Sequence, residues 1–289
     1  MILILPTLAL ELNLEDDRSM KLALLTSLLA VFPTFASDFH SPRTASLGGA
    51  GHATALGNDS VFLNPAYTPF INSTSVGLYW LAWNSNYGGY GRNYSVSIQD
   101  GRSDVFQAAI AHTQRDQGRF LHIGASKSLI QKTGLGIGAK MYFPADQNWT
   151  AGDLTIGITA LPVAWFQAAI VVDNIFESPG GRSINLSREW ILGTRFSLLD
   201  IVTLYADPMF LPSLSAQFGF EGGAEFHIMM DLNARVGYFA NSMVPMLSRR
   251  DQGWSIGGGW AFPRITLDYA YISTSSGAFA HDFGATIYF

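Results

Sequence analysis

The chain contains no cysteine, and that absence removes disulfides, thiolate nucleophiles and Cys-ligated metal sites together. Charge is scarce. Asp, Glu, Lys and Arg make up 13% of the 289 residues, and a net charge of −5 leaves no basic surface for nucleic acid. Long hydrophobic runs are missing as well: 48% of residues are apolar and mean hydropathy is +0.18, yet no stretch approaches the ~18–20 apolar residues of a spanning helix. An apolar chain without such a helix leaves a closed β-barrel as its way into a membrane. Catalytic patterns are absent too. There is no G-x-S-x-G elbow and no recognisable Ser, His and Asp arrangement, so neither a catalytic residue nor an enzyme activity is expected. The six histidines (His40, His52, His112, His122, His227 and His281) include no i, i+4 pair and no H-E-x-x-H, so no metal and no cofactor are expected.

What the sequence has in quantity is aromatic residues, at 13%, and 29 glycines, a composition that suits interface girdles and a closely packed wall. Period-2 runs bounded by Gly, Pro, Asn and Asp predict strands near residues 75–83, 93–99, 104–113, 120–128, 135–143, 152–161, 165–173, 188–198, 202–207, 215–226, 230–239, 254–262, 265–272 and 280–289. The expected fold is all-β: a transmembrane antiparallel up-and-down barrel of about 14 strands, an even number as single-chain bacterial barrels require. Trp254, Ile256, Trp260 and Phe262 alternate with Ser255, Gly257, Gly259 and Ala261. The polar face of such strands is mainly Gly, Ser, Thr and Gln rather than Lys and Glu, which predicts a narrow, crowded lumen. Connections after odd strands read as the longer ones (84–92, 174–187, 240–253, 273–279). Those after even strands read as tight (100–103, 162–163, 199–201, 263–264), the asymmetry of barrels with short periplasmic turns. Gly134, Gly136 and Gly138 lie within a predicted strand and read as close packing of the wall.

The N-terminal part divides differently. Arg18 and Lys21 flank Met20, residues 22–32 are apolar, and Pro33 with Thr34-Phe35-Ala36 follows, the order of an export signal and its cleavage site. Residues 1–19 carry Glu11, Glu15, Asp16 and Asp17 and read as an upstream extension, residues 20–36 as the signal peptide. Residues 37–74 do not read as strand, because turn-forming Gly and Asn dominate. Their apolar content (Phe39, Leu47, Leu56, Val61, Phe62, Leu63) argues against disorder. A plug inside the barrel formed by 75–289 accounts for both.

The same segment carries a resemblance. SPRTASLGGAGHATALGNDSVFLNPAYTPF, residues 41–70, resembles the N-terminal hatch of FadL-type outer-membrane channels and their shorter PorV-like relatives. The matching residues are Gly48, Gly49 and Gly51, the polar Asn58-Asp59 turn, and Asn64-Pro65-Ala66 just before the first strand. Gly223-Ala224-Glu225-Phe226, Ala234-Arg235-Val236-Gly237-Tyr238, Trp254-Ser255-Ile256-Gly257-Gly258-Gly259 and Leu267-Asp268-Tyr269-Ala270-Tyr271 follow in PorV-like order, whereas residues 84–199 carry no such motif. Residues 281–289 are similar to the C-terminal signal of bacterial outer-membrane barrels, with Phe283, Ile287 and Phe289 closing the last strand and addressing the barrel-assembly machinery. The resemblance implies a 14-stranded barrel in outer-membrane lipid, both termini periplasmic, with the hatch in its periplasmic half. It further implies passive uptake of a small hydrophobic ligand, or alternatively a binding or scaffold role toward secretion components without transport. Short connections leave little room for the external capture groove of fatty-acid channels.

Ionisable residues gather on the predicted lumenal side: Glu189, Arg195, Glu221, Glu225, Asp231, Arg235 and Asp268. In a narrow interior they must pair or stay hydrated. A network that fixes strand register is the first reading, a polar constriction for a substrate head group the second. Asn64-Pro65-Ala66 is expected to anchor the hatch, since Asn forms turns and the residue before Pro is extended.

Overall fold

The computed structural model describes residues 40–289, apart from 87–88, 146–148, 200, 216, 230, 245 and 248. The expected upstream extension and signal peptide lie outside the described residues. Fourteen strands form one closed antiparallel barrel in sequence order. They are β1 (Thr74–Ser85), β2 (Gly89–Asp100), β3 (Gln107–Arg115), β4 (Gly118–Ile130), β5 (Thr133–Pro144), β6 (Ala151–Val163) and β7 (Phe166–Asp173). The second half holds β8 (Glu189–Leu198), β9 (Val202–Leu211), β10 (Gln217–His227), β11 (Leu232–Val244), β12 (Arg249–Ala261), β13 (Ile265–Thr274) and β14 (Phe279–Tyr288). Closure runs from Ser75↔Tyr288 to Asn84↔Phe279, and the Phe289 N–H donates to the Thr74 carbonyl at 2.9 Å. Both ends of the barrel chain therefore sit at one rim, called here the near end.

The predicted faces hold. Asn93, Ser95, Ser97 and Gln99 of β2 are buried while Tyr94, Val96 and Ile98 between them are exposed. On β12 the outward Trp254, Ile256 and Trp260 are each about half exposed. A ring of exposed apolar side chains around a closed barrel is the surface that lipid, not water, accommodates.

The connections depart from expectation. Segments read as loops at 84–92 and 240–253 are mostly strand, because β1 runs to Ser85, β2 starts at Gly89, β11 reaches Val244 and β12 starts at Arg249. Only 174–188 is long, and it carries the short helix α2 (Pro179–Ser183). The turn expected to be tight at 100–103 is replaced by the longer stretch 101–106. Backbone pairing continues past the apolar belt because the ladder needs N–H and C=O partners, not apolar side chains; an alternation test stops where the side chains turn polar.

β9 differs for another reason. Expected to stop at Asp207, it continues through Pro208 to Leu211. Pro has no N–H for the ladder, and the β8–β9 pairing skips from Ile191↔Met209 to Thr194↔Ala206. The Thr194 N–H lies 3.3 Å from Asp207 Oδ1 instead.

Residues 40–73 fill the lumen. Helix α1 (Pro42–Ser46) has Ser41 as its N-cap, its Oγ accepting from the Thr44 N–H at 3.3 Å, and Pro42 in the first turn. Two 3-10 turns follow, Asp59–Val61 and Pro65–Phe70. Leu47, Ala50, Ala53, Asn64 and Ala66 are wholly buried. The segment can approach this closely because the wall facing it is glycine: a Cβ at Gly136 would run into Ala66, one at Gly157 into Asn64, one at Gly237 into Gly48. Gly134, Gly136 and Gly138, read above as wall packing, thus include the seat of the hatch: Gly134 and Gly136 face Ala66, and Gly138 lies beside Pro65.

Replacing Gly237 by Val should overpack this seat at a cost of about 1–3 kcal/mol and leave the outward face untouched. The expected result is a barrel that still migrates as folded without boiling, melts earlier, and exposes residues 40–73 to limited proteolysis.

Candidate functional site

The hatch motif explains itself locally. Gly48, Gly49 and Gly51 have φ of 72°, 95° and 150°, a region that side chains disfavour. The chain can thus turn between α1 and the wall, and the Gly48 N–H donates to Ser255 Oγ at 3.0 Å. Asn64 is the anchor. Its Nδ2 donates to the His52 carbonyl and to Thr159 Oγ1 of β6, both at 2.7 Å, and its Oδ1 accepts from the Ala66 N–H at 3.0 Å. Pro65 follows as the first residue of the 3-10 turn. Asn58 docks the other side: its Nδ2 donates to Ser97 Oγ at 2.9 Å and its Oδ1 accepts from Ser75 Oγ at 2.5 Å.

Three of the seven predicted lumenal charges meet. Arg235 of β11 donates through Nε to Glu225 Oε2 of β10 at 2.5 Å and through Nη1 to Asp268 Oδ1 of β13 at 2.6 Å. Arg43 of α1 completes the group, with Nη2 at 2.9 Å from the Tyr205 hydroxyl and 3.5 Å from Glu225 Oε1. This network crosses from hatch to wall beside a cavity of about 230 Å³ at the near end, lined also by Asn58, Asp59 and Tyr79. Arg43 and Asp59 were missed by a reading that took charges from strands alone; both lie in the hatch motif. Burial opposes the charge on Arg43, but Glu225, Tyr205 and Asp59 outweigh it and hold its pKa above the ordinary value. Burial drives the Asp59 carboxyl above its ordinary range, against hydrogen bonds from Ser41 and Thr44 and the charge of Arg43, with Asp268 adding to the rise.

The remaining four expected members lie apart. Glu189 pairs with Arg250 at the far end of the barrel. Arg195 faces the lumen from β8 but makes no ion pair among the described residues, and its Nε is buried without a hydrogen-bond partner. Asp231 is not lumenal: β11 begins one residue later, and Asp231 is exposed in the turn 228–231. Glu221 joins a separate group. Its carboxylate, that of Asp207 on β9 and the His52 imidazole bring one donor atom each within 4.8 Å of one another. The His52 Nδ1 lies 2.8 Å from Asp207 Oδ2, which also accepts from the Gly51 and His52 N–H groups at 2.8 and 2.9 Å. Burial depresses the His52 pKa, yet its hydrogen bond and charge contact with Asp207, with Glu221 behind, raise it above the ordinary value.

On the outside, a groove of about 660 Å³ lies over β12–β14 and β1, walled by Trp80, Trp260, Leu267 and Phe283 with Gly258 in its lining. Trp80 and Phe283 stack at 5.5 Å. Tyr79, Gly259, Trp260 and Asp268 line both this groove and the near-end cavity, so one layer of wall separates them. Toward the far end the lumen is packed with apolar side chains, among them Leu81, Phe239, Val244, Met246 and Ile272.

Solved structures share this architecture. The chain is similar to the toluene transporter TbuX of Ralstonia pickettii (TM-score 0.61, 11% identity, 87% of this chain and 99% of that one). It is also similar to a Pseudomonas aeruginosa FadL homologue (0.59, 10%, 88% and 99%) and to the Pseudomonas putida toluene transporter TodX (0.59, 10%, 88% and 98%). At these identities the likeness is one of fold. No protein-family model matches the chain, and no curated protein matches it.

Two outcomes follow from the hatch. Asn64→Ala strands the Thr159 and His52 partners and should lower stability by about 1–3 kcal/mol, read as an earlier thermal midpoint in detergent. For Asp59, a folded pKa above the unfolded 3.8 means that its contribution is most favourable below pH 3.8 and is lost as pH rises through the folded value. Asp59→Asn should therefore melt no earlier than the parent at pH 7, and the difference between the two should close as the pH falls below 3.8.

Proposed function

We propose that the protein is an outer-membrane channel of the FadL type that passes small hydrophobic compounds, both termini facing the periplasm. The observation that carries this reading is the pair of spaces back to back across β12–β14: an apolar groove facing lipid and a lumenal cavity, sharing Tyr79, Gly259, Trp260 and Asp268. Glycine at Gly258 and Gly259 leaves the wall there without bulky side chains. An apolar solute leaving the lumen would enter the groove without crossing water, while the charged network beneath the hatch opposes onward passage into the periplasm. Toluene, the cargo of two of the similar structures, supplies the probe.

The test is uptake of radiolabelled toluene by intact cells that produce the full chain, against cells that do not. A several-fold faster initial rate is expected. Gly258→Phe should return it to the background rate, because a side chain there meets only the Asn233 carbonyl at 3.0 Å and fills the groove from outside. An unaltered rate in the parent would sink the reading.

The packed far end favours a second reading, a PorV-like binding or scaffold subunit for secretion or assembly. Unchanged toluene uptake together with recovery of stoichiometric secretion components in a crosslinked pull-down would move the assignment there.

A further inference from the structure

At the seam between hatch and wall, two buried carboxylates share a single imidazole. Asp207 is 0% exposed and Glu221 4%, and among the described residues neither forms an ion pair with Lys or Arg; the one such contact is His52 with Asp207. Glu221 accepts from Ser242 Oγ through Oε1 at 2.5 Å, but its Oε2 is buried with no hydrogen-bond partner. Elsewhere in this lumen Glu225, Glu189 and Asp173 each have Arg or Lys against them; the buried Asp282 has neither, but no histidine or second carboxylate joins it in a three-residue cluster among the described residues. Burying two adjacent anions without a cation is costly, so the seam lacks the positive charge that Glu225, Glu189 and Asp173 have beside them.

We propose that His52, Asp207 and Glu221 bind a divalent cation of the Zn²⁺ type that ties the hatch to β9 and β10. Their donor atoms lie within 4.8 Å of one another, and because Zn–N and Zn–O lengths of roughly 2.0–2.2 Å require closer spacing, the side chains draw in on one ion by small rotations. Two carboxylates and a neutral imidazole carry the two negative charges that such an ion neutralises. The imidazole favours a transition-series ion over Ca²⁺ or Mg²⁺, which take all-oxygen shells. Supporting contacts are in place: the Gly51, His52 and Thr194 N–H groups orient Asp207, and Ser242 orients Glu221. Such outer contacts hold ligands in their binding geometry. Coordination needs a lone pair on the ligating ring nitrogen, so the loaded imidazole keeps its one proton on the other nitrogen and any second proton leaves to solvent. The three ligands come from three segments, which makes the ion a removable staple on the hatch. The inference does not depend on what the barrel passes.

The experiment uses the untagged full chain, folded in detergent, stripped with chelator and then titrated with Zn²⁺. Calorimetry and elemental analysis after desalting should give one zinc per chain with a raised thermal midpoint, and Ca²⁺ should produce neither. Glu221→Gln and His52→Asn should each weaken zinc binding by more than the roughly 10–100-fold typical of losing an outer-shell partner. His112→Asn, whose side chain faces outward from β3, should bind as the parent does. Should His52→Asn not fold, Glu221→Gln alone decides. A folded parent that retains no zinc would mean that a proton, not a metal, neutralises the seam, and retention unchanged in Glu221→Gln would place the zinc elsewhere; either result overturns the site.

Discussion

Backbone hydrogen bonding is the constraint from which the remainder of this molecule follows. A chain immersed in hydrocarbon must satisfy every N–H and C=O internally, and without a spanning helix it does so by closing fourteen strands on themselves through Ser75↔Tyr288 and its neighbours. Closure explains why strands outrun their apolar segments at 84–92 and 240–253. It also explains why the one weak place in the β8–β9 pairing, opposite Pro208, is covered: the Asp207 carboxylate takes the Thr194 N–H that the ladder leaves over.

A closed wall creates an interior that must be filled, and here the chain's own N-terminal segment fills it. Glycines on the inner face set the distance of approach, and three polar side chains set the position. Asn64 reaches β6, Asn58 reaches β1 and β2, and Asp207 of β9 caps the Gly51–His52 backbone. Buried charge obeys the same economy. Arg43 and Arg235 stand against Glu225 and Asp268, so the network joins hatch, β10, β11 and β13 in one arrangement. Pairing of this kind gives a unique position more than it gives stability. The carboxylates of Asp207 and Glu221, and that of Asp282, stand outside that pairing.

Much of the fold was legible in advance. Trp254, Ile256 and Trp260 against Ser255, Gly257 and Gly259 declared two faces, and counting such runs yielded fourteen strands. Glu225, Arg235 and Asp268 could be picked as lumenal partners from their parity on those strands. Asp231 could not be placed correctly, because β11 starts two residues later than its alternation suggests and leaves Asp231, though of the same parity as Arg235, in the turn before it. Loop length sorted by strand parity held for the tight connections between β6 and β7, β8 and β9, and β12 and β13 and for the long one after β7, and failed at 84–92, 240–253 and 100–103, where polar strand ends look like loop or the turn is longer. Arg195 and Glu189 were grouped with Arg235 by sign and parity, which carry no information on position around the ring.

Alternation, the glycine-rich segment 41–70 and the absence of cysteine and of long apolar runs together determined a plugged membrane barrel, because each is a local consequence of solvent and backbone geometry. Which residues meet across the lumen was decided only by the tertiary structure. His52 finds Asp207 and Glu221, and Arg43 finds Glu225, across most of the chain's length. No period or spacing encodes such contacts; they exist because ring closure and the docking of the hatch bring distant segments to one place.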